Sequence, residues 1–257
     1  MTEAIHDYGM GFHHIRGEFR IAGMLNVGTH CALVKTAPGE FVFLDSYTLP
    51  PAIHEEVKAL TDDGAKVKAI VNLHPFHTLH CEWMHHAFPE ATLYGTQRHH
   101  EKLPQLPWAN DRCEGGVLDG LFGKELEFTQ PDGVHLVCER ENVHFSSILA
   151  FHPASGTIFV DDTLSRAVLP FPLSLLPMNA RLDFHPTLLG ALKDEPHAAN
   201  AFHDWAVDMA VNWAGARRIA MAHNTVLDLG EEELPTLIGE ALARAKPVLD
   251  KHRARFA

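Results

Sequence analysis

VKAIVNLHPFHTLH, residues 67 to 80, sets an apolar strand directly against a run of histidines. Val67, Ala69, Ile70, Val71 and Leu73 make the near-continuous apolar run of a buried strand. Loops at the ends of such strands are where a rigid scaffold holds functional groups. Pro75 restricts His74 to an extended backbone and keeps it outside any helix. A helix beginning near Phe76 would put His77 and His80 three residues apart on one face. Two imidazoles from that face and one from the preceding loop would converge on a point, which is how a zinc or iron site starts. The alternative is a set of polar residues capping a helix, so distant partners have to decide.

Working outward, FHHIRGEFRI, HCALVKT and EFVFLDS read as an antiparallel meander from Phe12 to Asp45, and PAIHEEVKAL from Pro51 has the apolar spacing of a helix. CEWMHHAF reads as a short helix stopped at Pro89, and ATLYG as another strand. The stretch from Leu103 to Gly123 has two prolines, four glycines and little periodicity, which predicts a loop or lid. Beyond it ELEFTQ, VHLVCER and HFSSILAF alternate as strands, and HPASG is a hairpin turn into TIFV and the pair Asp161-Asp162. His197 to Trp213 is amphipathic, RRIAMAHN reads as a last strand, and Glu231 to His252 as a final helix. With no repeat and no linker, residues 1–257 read as one domain, an α+β chain whose sheets pack face to face with helices outside.

The order of these pieces resembles the metallo-β-lactamase superfamily. Its pattern is a meander ending in a buried Asp, a strand leading to HxHxDH, a later His, an Asp in a GDT-like turn, and a last His at a strand end. The matching pieces here are FVFLDS with Asp45, AIVNLHPFHTLH, NVHFSSILAFHPASGTIFVDDTL with His144 and Asp162, and RRIAMAHN with His223. HPFHTLH stands in place of HxHxDH, with one residue inserted after His74 and Leu79 where the motif has its Asp. The resemblance implies a four-layer αββα sandwich. It also implies His74, His77 and His144 at a first metal position and His80, Asp162 and His223 at a second, with Asp162 as the shared, catalytic carboxylate. One or two zinc ions are the expected cofactor, with iron or manganese as alternatives. Cys81 and Glu82 lie close enough in sequence to replace a missing ligand. Asp45 is expected to support the site by hydrogen bonding.

Other histidines read differently. His152 falls in a hairpin turn and is expected at the surface; His99 and His100 read as a solvated face; His13, His14 and His30 lie in the first strands, where a supporting or pocket role is open.

A metal with an open position activates water and polarises a carbonyl or phosphoryl oxygen, so the implied reaction is metal-dependent hydrolysis by bound hydroxide. Two alternatives remain: a metal-binding or sensory protein of this fold without turnover, and a di-iron oxidoreductase. The length and charge name no substrate beyond a small molecule. Trp108 and the apolar residues from Phe171 to Met178 are candidates for the pocket wall.

Composition limits the rest. Of 257 residues, 46% are hydrophobic and 21% charged, which is ordinary for a globular chain. Twenty histidines are the outlier. With 33 acidic against 21 basic residues the net charge is -12, which repels nucleic acid and anionic membrane surfaces. The first residues lack the pattern of a secretory leader, so a cytoplasmic location is expected. Cys31, Cys81, Cys113 and Cys138 show no CxxC pair and read as buried thiols. The proline-rich segment from Leu169 to Pro177 suits a homodimer contact.

Overall fold

The computed structural model describes residues 4–21, 25–26, 28–36, 39–138, 140, 142–166, 181–222 and 225–256. The chain starts with β1 (Ala4–Asp7), β2 (Phe12–Gly17) and a short pair, β3 (Arg20–Ile21) with β4 (Leu25–Asn26). β5 (Thr29–Thr36), β6 (Glu40–Leu44), β7 (Val67–Val71) and β8 (Thr92–Tyr94) complete a first sheet in the order β1-β2-β5-β6-β7-β8. β1 to β6 run antiparallel, as the meander predicts, whereas β6, β7 and β8 are parallel. Parallel neighbours need a crossover, supplied by α1 (Pro51–Thr61) and α2 (Cys81–Ala87). α3 (Gln97–Lys102) and α4 (Val117–Phe122) follow, the latter inside the segment expected to be a lid.

A second sheet, ordered β15-β14-β11-β10-β9, comprises β9 (Glu127–Thr129), β10 (Leu149–His152), β11 (Thr157–Val160), β14 (Arg218–Met221) and β15 (Thr225–Asp228). β12 (Leu164–Arg166) pairs with β13 (Leu182–Phe184), and α5 (Leu188–Ala191), α6 (Ala198–Asn212) and α7 (Leu234–Arg253) complete the chain.

Strand period two sorts the apolar side chains into layers. Cys31, Leu33, Phe41, Phe43 and Ile70 pack outward against Ile53 and Val57 of α1 and Met84 of α2. Their neighbours Ala32, Val34, Val42, Leu44, Ala69 and Val71 turn the other way and meet Ala150 and Phe159 between the sheets. On the far side Leu149, Phe151, Ile158 and Val160 pack with Phe202 and Met209 of α6 and Ile238 and Leu242 of α7. The layers are therefore helix, sheet, sheet, helix, the expected αββα sandwich. Burying a large apolar side chain contributes on the order of 1.5–3 kcal/mol. The three cores thus offset a set of buried polar groups between the sheets: His14, His30, Asp45 and Asp161.

Several expectations need correction. The helix after the histidine run starts at Cys81, not Phe76. Residues 74–80 form consecutive turns, with His77 N–H bonded to the His74 carbonyl and Thr78 N–H to that of Phe76. VHLVCER is not a strand: Val134 makes one isolated bridge to Leu192, and its side chain packs in the α6 core. RRIAMAHN is followed by β15, and a strand, β1, precedes the meander; both are short edge strands without an apolar run. Residues 167–180, with the proline-rich contact segment and Phe171 to Met178, lie outside the described residues. Among the described residues no helix is long and apolar enough to cross a membrane.

Candidate metal centre

The ends of β6, β7 and β11 deliver the site. The sheet edge carries Asp45 after β6, Asn72-Leu73-His74 after β7, and Asp161-Asp162 after β11. Asp45 adopts a left-handed φ of 57°, which Asp tolerates better than most residues and which turns its carboxylate across to the next strand. Its Oδ1 accepts the Leu73 N–H at 2.7 Å, and its own N–H bonds the Val71 carbonyl at 2.8 Å. Asn72 donates from Nδ2 to the Tyr94 carbonyl at 3.0 Å and accepts from the Ser46 hydroxyl at 2.7 Å. The loop that carries His74 and His77 is thus tied to both flanking strands. Asp45 holds the His74 loop by a hydrogen bond through Leu73.

His74, His77 and Asp162 each bring one ligand atom within 4.8 Å of the other two. The His74 and His77 rings stack at 4.1 Å, and His74 Nε2 lies 3.3 Å from Asp162 Oδ2. That nitrogen is fully buried and makes no hydrogen bond of ordinary geometry, although Asp162 lies within reach. A buried, unsatisfied imidazole nitrogen beside a carboxylate is the donor set a divalent cation takes. The Phe76 N–H points at His74 Nδ1 at 3.2 Å, so the neutral ring carries its proton on Nε2. A cation at Nε2 would move that proton to Nδ1 and break this contact.

Behind these groups lies a second layer. Asp161 Oδ1 is 3.4 Å from His77 Nδ1 and 3.1 Å from His30 Nε2. His30 Nδ1 is 3.0 Å from His14 Nε2, and His14 Nδ1 is 3.2 Å from the Tyr8 hydroxyl. Burial works against charge on His77, but Asp161, Asp162 and Asp45 outweigh it and raise its pKa to about 9. Burial and the neighbouring Asp161 push the Asp45 carboxyl well up, whereas Asp161, despite its own burial, is held well below the ordinary range by His77 and His30. The two neighbouring carboxyls are therefore driven in opposite directions. Burial, and then His77, depress His74.

The remaining candidates border the centre without joining that group. His80 Nδ1 is 2.9 Å from the Thr48 hydroxyl, and its ring stands edge-on to Tyr47 at 5.3 Å; burial and His77 lower its pKa to about 4. His144 stacks on Phe76 at 4.3 Å and lies 6.4 Å, ring to ring, from His74. His223 lies outside the described residues. Cys81 is buried, donates towards Asn72 Oδ1, and burial raises its thiol to about 12; Glu82 is exposed on α2. All four cysteines are free and buried. A cavity of about 510 Å³ opens over the centre, lined by His77, His80, His144, Asp162, His185, and the apolar Phe19, Phe76, Leu79 and Ala222.

Two histidine expectations and one for a tryptophan fail. His152 is buried, bonded to the Ser155 hydroxyl at 2.8 Å and tilted on Phe12. His99 is buried and caps α3 through Thr96, and Trp108 packs on His99 and His100 instead of lining the cavity. His14, His30 and Asp161 were not singled out as partners. One signal was available: His14 and His30 share strand parity with Phe12, Ala32 and Val34, the residues facing the second sheet.

No family description and no curated protein matches the sequence. Solved structures do match the fold. The DIM-1 metallo-β-lactamase exposed to ceftazidime superimposes with a TM-score of 0.61 at 14% identity, over 95% of this chain and 97% of that one. The FIM-1 metallo-β-lactamase from Pseudomonas aeruginosa, in a mono-zinc form, gives 0.60 at 13% identity over 95% and 96%. A metallo-β-lactamase from Erythrobacter litoralis gives 0.58 at 16% identity over 92% and 96%. The chain has the metallo-β-lactamase superfamily fold.

Proposed function

We propose that this protein is a metal-dependent hydrolase acting on a small molecule with an apolar group beside the bond that is cut. The observation that carries the reading is the buried, unsatisfied His74 Nε2 facing Asp162, a residue that lines a cavity whose wall mixes histidines with the apolar Phe19, Phe76 and Leu79. His74, His77 and Asp162 would hold the cation, with His144 and His80 at the cavity wall and Zn(II) favoured over iron or manganese by the zinc form of one structural neighbour. A bound cation of this kind supplies a Lewis acid and lowers the pKa of water towards neutrality. The chain's own residues do the rest. Asp161 fixes the orientation of His77, and Asp45 fixes the loop through Leu73. His80 is neutral at pH 7 and offers the substrate a hydrogen bond, while Phe19, Phe76 and Leu79 exclude water from one side of it. Four buried reduced thiols suit a cytoplasmic compartment, and the negative net charge disfavours nucleic acid and anionic membranes as partners.

The test is a panel of esters, thioesters, lactones and amides with the chelated and the Zn(II)-reloaded protein. Turnover that appears only on reloading supports the reading; no turnover on any substrate by fully loaded protein refutes it. One observation favours a second reading, ligand binding without turnover. Leu79, at the place of the motif's Asp, is 70% exposed at the cavity rim and can offer a metal neither charge nor lone pair.

A further inference from the structure

Asp161 has two sides. Towards the cavity it meets His77, and towards the interior it meets a group that the cavity-facing centre does not use. His30, Asp45 and Asp161 each bring one ligand atom within 4.8 Å of the other two, and none is more than 2% exposed. Asp45 Oδ2 and Asp161 Oδ2 are buried with no hydrogen-bond partner, although buried carboxylate oxygens are nearly always partnered. Asp45 Oδ1 is held by the Leu73 N–H at 2.7 Å, Asp161 Oδ1 by His77 at 3.4 Å and His30 Nδ1 by His14 at 3.0 Å; His30 Nε2, which meets Asp161 Oδ1 at 3.1 Å, would exchange that contact for the cation. Ligating histidines characteristically give their second ring N–H to such a partner, and ligating carboxylates are themselves hydrogen-bonded.

We propose that His30, Asp45 and Asp161 form a second, fully buried site for a divalent first-row cation, distinct from the residues that face the cavity. One imidazole and two carboxylates suit Zn(II), Mn(II) or Fe(II) and disfavour soft Cu(I). In the metal-free protein burial and the neighbouring Asp161 drive Asp45 towards its protonated form; a dication that displaces that proton would neutralise both carboxylates at once. In the loaded state His30 donates its Nδ1–H to His14 Nε2, and His14 donates its Nδ1–H to the Tyr8 oxygen, so the chain of three orients the ligating nitrogen from the β1–β2 edge. The site requires no turnover and stands apart from the hydrolytic reading.

The experiment uses the full chain, stripped with chelator, dialysed and reloaded with Zn(II), and in parallel with Mn(II), the bound metal being counted by mass spectrometry. The expected result is two equivalents per chain in the wild type and one in each of His30→Gln and Asp45→Asn, while His77→Ala loses the cavity-facing equivalent. A single wild-type equivalent that survives His30→Gln overturns the proposal, as does no binding at all. Because substitutions at buried positions threaten folding, anomalous diffraction from wild-type crystals grown with Zn(II) gives an independent answer. A peak enclosed by His30, Asp45 and Asp161 supports the site; a peak confined to His74, His77 and Asp162 overturns it. If the hydrolytic reading is wrong, turnover is absent and the metal count is unchanged.

Discussion

Asp161 and Asp162 are adjacent in sequence and face opposite ways, as successive residues leaving a strand do. Asp162 turns to His74 and the cavity, and Asp161 turns to His30 and His77. The first consequence concerns His77. Its ring is protonated in the metal-free protein up to about pH 9. A raised folded pKa contributes stability that is complete below the unfolded value of about 6.5 and is lost as pH rises through about 9. NMR titration of the apo protein should place His77 near 9, and Asp161→Asn should bring it back towards 6.5. Because a proton must leave before a metal binds, Zn(II) affinity should rise roughly tenfold per pH unit between about 7 and 9. A flat affinity across that interval would contradict His77 as a ligand. A second consequence is selective loss of metal: His74→Ala and His77→Ala should each weaken Zn(II) binding at the cavity at least about tenfold, while His203→Ala, on the exposed face of α6, should not. That His74, His77 and Asp162 come together was legible in the sequence, because the histidine run and the Asp-Thr-Leu turn resemble a known pattern. The partnership of His30 with Asp161 was not, since it spans 131 positions and exists only once two sheets are stacked.

At the scale of elements, the histidine run shows what spacing alone misses. A helix from Phe76 would align His77 with His80, but the turns that follow Pro75 delay α2 to Cys81, so His77 faces Asp161 and His80 faces Thr48. The same turns lift Leu79 to the rim. Leu79→Asp therefore buries no carboxylate, and the melting free energy should stay within about 0.5 kcal/mol of wild type; a loss of several kcal/mol would mean that Leu79 is packed inside. Strand β2 makes a different demand. A Cβ on Gly17 would fall 2.1 Å from the Tyr47 ring, which stands against His80. Gly17→Ala should cost about 1–3 kcal/mol by overpacking and displace Tyr47, visible as a lower urea midpoint and shifted His80 resonances. The strands of the inner layers were readable because their apolar residues alternate between two cores. β1 and β15 were not, being short edge strands, and VHLVCER has the strand pattern without a strand partner, because α6 covers it.

For the whole molecule, the αββα order follows from three apolar clusters, and the sequence carried it in the parity of β5, β6, β10 and β11. The centre takes its histidines from the first sheet's edge and its carboxylate from the second's, so the unfolded chain offers no preformed site. Zn(II) at one hundred times its dissociation constant should then raise unfolding free energy by about 2.7 kcal/mol through mass action. Urea melts with and without metal measure this, and His74→Ala with Asp162→Asn should erase the cavity-facing share.

The split of ligands between sheets also sets a timetable for the chain during its synthesis. The first sheet is complete in sequence at Tyr94, with His74 and His77 already in place, yet Asp161 and Asp162 come some seventy residues later. At the ribosome's pace of about 5–20 residues per second, several seconds separate the emergence of the imidazoles from that of the carboxylates. Through that interval the nascent half carries a histidine pair without its carboxylates. Capture of a metal at this site would accordingly be a late event, one that follows the closure of the sandwich and marks its completion.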